Sequence, residues 1–561
     1  MLKIKFIGAT KWVTGSCSWL WHTNSNTQFL VDCGMHQGTH EEQWNNYQPF
    51  EFDATRIQYV LLTHAHIDHC GLLPKLIQNG FKGWVYCTQA TREIAELMLR
   101  DSAKVSDLFK ESDVDKIKWH AIDSGNFNWN KRFRLADGLW IEFSRGSHVL
   151  GACGITVKWL TGNESDPIKS IHFSGDIGCQ MEGNCFLPLL KDDHCPAPKA
   201  NYILVESTYG AAERDPSYKN AEHRINTLGD LICNTIYNKG GRVVIPAFSF
   251  HRTQEIIADL LAWQWHFWPK GKHSSLMGKL QLKKDGSGDE VYSSPLRVLC
   301  ESPLAAQINQ VYASQLRKRL ANGKYQYLNP ELASSLSCSE EESSQIFREL
   351  SEDQNTIFRK GHLIRSLSPD PITKEKFRKK LDRYPVVIAS SGMCDHGPVT
   401  QYIDKLWHDP KNTIVLTGYQ APGSRGRALL NYAESAAHQG ESAEVVNLAG
   451  FYSGHADQAK LLDYLFSLGS HAKNSNSACV FINHGEATNK NALRDAILNR
   501  SNQKRPGDRT INSVQIAKSE WFDLDSGSYI QDDEGHVKSD LIKQLIAIQK
   551  KLDMLIDQRS L

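Results

Sequence analysis

The sequence predicts an α/β protein of more than one domain, and three observations carry that expectation. The chain has 561 residues, enough for two or more separate cores. Short apolar runs rich in β-branched and aromatic residues recur along it, and four of them lead into an aspartate or a histidine. After the most informative of these, Gln58-Tyr59-Val60-Leu61-Leu62, apolar spacing turns helical at Gly71-Leu72-Leu73-Pro74-Lys75-Leu76-Ile77. A strand therefore passes into a helix across one tight turn, and open α/β sheets place their sites at such carboxyl ends of strands.

The turn reads Thr63-His64-Ala65-His66-Ile67-Asp68-His69. Three imidazoles and a carboxylate suit a borderline metal such as zinc, which takes neutral histidine nitrogen and carboxylate oxygen at about 2.0–2.2 Å. Alternation lets His64 and His66 face one ion, while Asp68 and His69, past the bend, face another.

Composition limits the remaining classes. The 64 basic and 63 acidic residues leave a net charge of +1, so contact with nucleic acid has to come from a local patch. Thirteen scattered cysteines, none spaced C-x-x-C, argue against a disulfide framework or a thiolate zinc knuckle. No apolar run approaches about 18 residues, and Met1-Leu2-Lys3-Ile4-Lys5-Phe6-Ile7-Gly8 reads as a first strand rather than a signal peptide. The expectation is a soluble cytoplasmic protein with no membrane contact.

In chain order, Leu2 to Gly34 reads as strand, glycine turn, strand, and then Gln28-Phe29-Leu30-Val31 ending at Asp32-Cys33-Gly34. A helical segment is expected between Thr91 and Phe109, on the apolar positions Ile94, Leu97, Met98 and Leu99. A strand around Trp140-Ile141-Glu142-Phe143 leads to His148 among small residues, and Ser170-Ile171-His172-Phe173-Ser174 runs into Gly175-Asp176. Taken singly, each of these is an ordinary turn or core residue; four strand ends carrying Asp or His point to one site.

The set Asp32, His64, His66, Asp68, His69, His148 and Asp176 resembles the motif series of the metallo-β-lactamase fold. The opening Gly8-Ala9-Thr10-Lys11-Trp12-Val13-Thr14-Gly15-Ser16-Cys17 is similar to the start of its nucleic-acid-processing branch. Further on, Glu206-Ser207-Thr208-Tyr209-Gly210 resembles the acidic first motif of the β-CASP nucleases. Also similar to that family are Gly240 to Phe248, Arg252-Thr253-Gln254-Glu255, Ser302-Pro303-Leu304-Ala305, Ser390-Ser391-Gly392-Met393, and Gly418-Tyr419-Gln420 with Gly426-Arg427. Ser453-Gly454-His455-Ala456-Asp457 and Asn483-His484-Gly485-Glu486 complete the resemblance, which covers roughly residues 1 to 500. Two departures stand where the family's substrate cleft would be: His251 in place of a usual glycine, and Cys394-Asp395-His396 where small or apolar residues are commoner.

The resemblance implies a metallo-β-lactamase αββα sandwich with an inserted β-CASP α/β domain. Residues 1–208 would form the first part of the sandwich, 209–408 the insertion, 409–515 the completing part and 516–561 a C-terminal extension. It further implies two Zn²⁺ per chain. His64, His66 and His148 would hold one, Asp68, His69 and His484 the other, and Asp176 would bridge them. The implied function is a zinc-dependent phosphodiesterase that cleaves single-stranded RNA by hydroxide attack, with internal cleavage and 5′-exonuclease action as open alternatives. His455 would be the general acid with Glu206 as its partner, Asp32 would orient a ligand or the attacking water, and Asp68 would act beside the nucleophile. Substrate contacts would come from Ser390, Ser391, Gly392, Gly418 and Arg427. Histidine at 484, where DNA-repair relatives commonly carry valine, implies RNA rather than DNA. The alternatives are a non-catalytic scaffold subunit of an RNA-processing complex, or a DNA nuclease of the same family; metal content would separate scaffold from enzyme.

Three stretches lie outside these motifs. Trp263 to Lys284 interleaves aromatics with lysines, as single-stranded nucleic-acid grooves do, or else packs its tryptophans on the domain. Ser334 to Glu352 reads as exposed helix and loop. In the tail, Leu541, Leu545, Ile548, Leu552 and Leu555 repeat as a two-heptad seam that would pair two copies into a homodimer or pack onto the body.

Overall fold

The structure is a computed structural model that describes residues 1–124, 128–146, 148–162, 167–178, 196–263, 282–284, 290–292, 298–316, 318–320, 323, 326–327, 364–366, 384–421, 423–435, 440–467 and 477–530. The tail seam, Ser334 to Glu352 and most of Trp263 to Lys284 lie outside these residues. Trp263 itself is buried against Gly229 in the core of the insertion, as in the packing alternative.

Two sheets stack face to face. The first runs β1 (Leu2–Phe6), β2 (Ser18–His22), β3 (Thr27–Val31), β4 (Ile57–Leu61), β5 (Trp84–Cys87) and β6 (Trp119–Ala121) in spatial order, and on its other edge β1 pairs with β22 (Trp521–Asp523), which pairs with β23 (Ser528–Tyr529). The second contains β7 (Arg132–Ala136), β8 (Leu139–Arg145), β9 (Cys153–Leu160), β10 (Ile168–Phe173), β11 (Tyr202–Val205), β20 (Ala478–Ile482) and β21 (Ile511–Ile516), again neighbours in that order. Alternation along the strands sends Phe6, Phe29 and Leu61 from one sheet and Phe143, Val157 and Phe173 from the other into a common core.

Helices cover both outer faces. Gln89–Val105 buries Ile94, Ala95 and Leu99 on the first sheet, and its N-cap Thr88 accepts from Thr91 N. Gln458–Phe466 and Ala487–Gln503 bury Leu461, Leu465, Leu493 and Ile497 on the second. The layers are helix, sheet, sheet, helix, as the sequence predicts.

A third sheet forms the insertion, in the order β16 (Ile364–Ser366), β15 (Val298–Glu301), β17 (Val386–Ala389), β12 (Val243–Pro246), β18 (Thr413–Leu416), β19 (Glu444–Asn447), all parallel. Every residue of β12, β15, β17 and β18 is buried, as parallel strands covered on both faces require. A separate hairpin joins β13 (Leu282–Lys284) to β14 (Glu290–Tyr292).

Two expected boundaries are corrected. The insertion does not return near His408, because β18 and β19 follow that point and complete the inserted sheet; the chain re-enters the two-sheet body between Asn447 and His455. Nor does an extension begin at 516, since Trp521–Asp523 pairs with Lys3–Lys5 and closes the first sheet. Both pairings join strands far apart in sequence, which local apolar patterning does not register.

Candidate metal centre

All the sequence-predicted ligands come from strand ends at one edge of the stacked sheets. β3 and β4 run parallel, so Asp32 and the Thr63–His69 turn emerge together. In the facing sheet β10, β11 and β20 are parallel and deliver Asp176, Glu206 and His484 side by side, while antiparallel β9 begins at this edge just after His148.

The backbone there is tightly fitted. Asp32 has φ +60° and Gly34 passes so close that a Cβ would lie 1.6 Å from Asp68 O, so the glycine of the Asp-Cys-Gly turn is obligatory. The glycine-rich opening carries His484 on the other side: Asn483 Nδ2 donates to Gly8 O at 3.1 Å, His484 N to Ala9 O at 3.2 Å, and Lys490 Nζ to Ala9 O and Thr10 O.

Three groups of donor atoms result, each within 4.8 Å of its own members: His64, His66, His148 and Asp176; then Asp68, His69 and His484; and Asp176 again with Glu206 and His455. In the first, His66 Nδ1 stands 3.1 Å from His64 Nε2 and 3.0 Å from His148 Nε2, with Asp176 Oδ2 3.5 and 3.6 Å from the latter two. In the second, His69 Nε2 and His484 Nε2 are 3.1 Å apart and Asp68 Oδ2 is 3.5 Å from His484 Nε2. Asp176 Oδ1 turns to this second group, 3.3 Å from His69 Nε2 and 3.6 Å from His484 Nε2. It is buried and accepts no aligned hydrogen bond from the described residues. One carboxylate thus divides its oxygens between two histidine groups.

Partners behind the ligands fix which nitrogen faces inward. His148 Nδ1 donates to Gly454 O at 2.7 Å, leaving Nε2 as the inward lone pair. Asp32 Oδ2 takes His69 Nδ1 at 2.7 Å and also accepts from Thr63 Oγ1, while Asp32 Oδ1 accepts from Thr63 N at 2.8 Å. Asp32 therefore orients His69 from behind. Thr63 Oγ1 is 3.1 Å from His64 Nδ1, and Thr208 Oγ1 is 3.2 Å from His484 Nδ1.

Electrostatics put His64, His66, His148, Asp68 and Asp176 in the protonation states a cation needs. Burial, reinforced by the neighbouring imidazoles, drives His64 and His148 well below the usual histidine value, and burial takes His66 down to about 4. Burial alone would raise Asp68, but the hydrogen bond and charge of His484 with the charge of His69 pull it down to about 2. Burial likewise opposes ionisation of Asp176, yet His484, His69 and His64 hold it well below the carboxylate range. His69 goes the other way. Burial disfavours its charge, but Asp176 and Asp32 outweigh that and raise it, so a cation bound at Nε2 would have to displace a proton there.

Three imidazoles held neutral in the first group, ionised carboxylates, no cysteine in either group and a carboxylate oxygen without an aligned hydrogen bond at the centre fit divalent metal of zinc's borderline character.

Beside this centre lies a separate pair. His455 Nδ1 is 3.2 Å from both oxygens of Glu206, and its ring is 4.6 Å from that of His148. Glu206 also accepts from Ile177 N at 2.7 Å and Thr208 N at 3.2 Å, so it is anchored as a histidine partner. Burial works against charge on His455, but Glu206, then Asp176 and Asp68, push it up to about 9.

The sequence-predicted substrate contacts gather at the carboxyl edge of the inserted sheet. Ser390, Ser391 and Gly392 follow β17, and Gly418 follows β18. Gln420, a residue the sequence reading left without a role, ties them: its Nε2 donates to Gly392 O and Gly418 O, each at 3.0 Å, and its carbonyl accepts from Arg427 Nε. Ser391 Oγ is buried with no partner among the described residues. The two departures also have a physical account. His251 has φ +66° and Cys394 φ +67°, the backbone that favours glycine. His251 is held there by Tyr312 OH at 3.0 Å and Glu255 at 3.5 Å.

Thr63, Thr208, Gly454 O, Phe248 and Phe250, which packs on His66 at 4.9 Å between ring centres, also belong to the surroundings of the site and were given no role of their own in the sequence. The hydroxyl neighbours of His64 and His484 were in principle legible, since each stands beside a motif already marked.

Two family profiles match the chain. The Metallo-beta-lactamase superfamily profile matches residues 10–133 and the Beta-Casp domain profile residues 280–429. The chain is 28% identical over 473 residues to "Ribonuclease TTHA0252" of Thermus thermophilus, covering 83% of this chain and 90% of that protein. It is 25% identical to "Transcription termination factor FttA" of Methanococcus maripaludis over 83% of this chain and 65% of that longer protein. With the "RNase J-like protein" of Methanocaldococcus jannaschii the identity is 26%, over 76% and 80% of the two chains. The chain thus carries a metallo-β-lactamase superfamily domain and a Beta-Casp domain.

Proposed function

We propose that this protein is a zinc-dependent ribonuclease that hydrolyses phosphodiester bonds in single-stranded RNA. The observation that carries the reading is Asp176, whose two buried oxygens face two separate histidine groups beside the His455–Glu206 pair. The names of the relatives supply the polymer: two are called ribonucleases.

His64, His66 and His148 with Asp176 Oδ2 would hold one zinc, and Asp68, His69 and His484 with Asp176 Oδ1 the other. When bound, the ions supply Lewis acidity at the phosphate and make water a competent nucleophile near neutral pH. The chain's own groups do the rest. Asp32 and Gly454 O keep the His69 and His148 rings in one tautomer and orientation. Glu206, fixed by two backbone amides, holds His455 through Nδ1 and leaves Nε2 as the atom that gives its proton to the departing ribose oxygen. With its acidity shifted to about 9, His455 carries that proton at neutral pH. Ser391 Oγ and the Arg427 guanidinium are the substrate donors at the facing sheet edge. The filled ligand set disfavours the scaffold reading.

The test is metal analysis of the purified chain together with a time course on a long 5′-labelled single-stranded RNA. Two zinc ions per chain and cleavage are expected; a ladder identifies internal cuts and immediate labelled mononucleotide identifies 5′ attack. A chain with no bound metal, or zinc-loaded protein that leaves RNA intact, overturns the reading.

A further inference from the structure

Phe248 and Tyr419 are large aromatic side chains left 39% and 50% exposed, and the two loops that carry them are neighbours. Phe248 lies in the loop after β12 and Tyr419 in the loop after β18, strands that pair directly and in parallel. Both rings therefore stand at the carboxyl edge where Ser391, Gly392, Gly418 and Arg427 collect.

Phe248 lies over glycine. A Cβ on Gly392 would approach its ring to 3.0 Å and one on Gly418 to 3.6 Å, so bare backbone beneath the ring lets it lie flat with another part of its surface open. Two residues on, Phe250 packs against the metal-facing His66, which ties this loop to the centre. On the other side, the Arg427 guanidinium stands 5.8 Å over the Tyr419 ring, holding the ring and placing a positive charge next to it. The Phe248 loop thus reaches the metal side of the site, while Tyr419 stands with Arg427 on the neighbouring loop.

We infer that Phe248 and Tyr419 are stacking platforms for the unpaired bases that flank the scissile phosphate, a specificity device that rests on the ribonuclease reading. Every base has a π-face, so such platforms accept any sequence while requiring that the bases be free of a complementary strand. Arg427 next to Tyr419 adds the charge that an adjoining phosphate needs. Removing the bases while keeping the riboses and phosphates therefore isolates the contribution of the platforms.

Zinc-loaded full-length protein and its Phe248→Ala and Tyr419→Ala variants, checked for zinc content and melting temperature, are assayed for kcat/KM. The substrates are a single-stranded oligoribonucleotide with one cleavage site and the same strand with abasic riboses on both sides of that site. On the base-bearing strand each variant is expected to lose about 5- to 100-fold. Wild type should lose a comparable factor on the abasic strand, and there the variants should lose little more. Wild-type rates from both variants on the base-bearing strand, or equal losses on both strands, overturn the inference while leaving the ribonuclease reading intact. A wild-type enzyme that cuts neither strand overturns both.

Discussion

Two buried charged networks of this molecule contrast sharply. In the inserted domain, Asp259 takes Arg224 Nη2 on Oδ1 at 2.8 Å, and on Oδ2 it takes Arg224 Nε at 2.7 Å and Tyr452 OH at 2.8 Å, so both oxygens are satisfied. At the edge of the stacked sheets, Asp176 is equally buried, yet its Oδ1 accepts no hydrogen bond from the described residues and its neighbours are imidazole nitrogens turned inward. The first network closes on itself and holds a helix pair together. The second stays open towards a common point, at a desolvation cost that a bound cation would offset. Burial of charge does not by itself mark a site; burial with unsatisfied, convergent donors does.

The contrast is broken most severely at its open end. Asp176→Ala should abolish hydrolysis of RNA, with a loss well beyond the roughly 10–100-fold typical of residues behind a ligand. Zinc content should fall while circular dichroism stays native, and full activity in a zinc-replete variant would remove Asp176 from the centre. Next comes His455→Ala, expected to keep its zinc and lose about 10²–10⁴-fold on RNA, since general acid catalysis is worth that much. Much of the loss should return on bis(p-nitrophenyl) phosphate, whose leaving group needs no proton; equal losses on the two substrates would make His455 a packing residue.

At the closed end the expected effect is on stability. Asp259→Ala leaves Arg224 buried without its carboxylate and should cost about 3–5 kcal/mol in denaturant unfolding, with zinc per folded chain unchanged. A milder substitution sharpens the boundary between the two kinds of network. Asp32→Asn keeps the shape behind His69 but loses the charge, and should cost about 10–100-fold in zinc affinity or activity; an unaltered zinc titration would show that the contact is only structural.

The smallest effect concerns a histidine outside the site. His172 is bonded on both nitrogens, to Thr156 Oγ1 at 2.9 Å and Tyr464 OH at 2.7 Å, and burial, with a lesser contribution from Arg509, lowers it to about 3. Its neutral form is the one the fold holds. Its stabilising contribution is complete above the unfolded value of about 6.5 and is lost as pH falls from there towards 3, because the unfolded chain takes up the proton first. His172→Gln, which cannot titrate, should therefore show a shallower fall of melting temperature between pH 7 and 5 than the native chain.

What was legible from residues alone is local. The strand–turn–helix around Thr63–His69 needs only hydrophobic periodicity and a run of ligand-type side chains, both contiguous in the chain. Asp32, His148 and Asp176 were legible for the same reason, each marking the end or approach of an apolar run, whereas His484 and the four-layer architecture came from the resemblance of the motifs to a known family. Tertiary structure alone decided how the pieces meet. Asp32 backs His69 rather than facing the centre because Asp32 leaves β3 at φ +60°. His148 has its tautomer set by a carbonyl 306 residues away, at Gly454. The inserted sheet runs on to Asn447 because β19 finds β18, and Trp521–Asp523 returns to β1, pairings that carry no short-range signature. Gln420, Phe248 and Tyr419 gain their positions only when parallel strands bring their loops to one edge. Side-chain chemistry is written residue by residue, but the direction in which a lone pair or a ring face points is set by backbone pairings hundreds of residues apart, and those exist only in the folded chain.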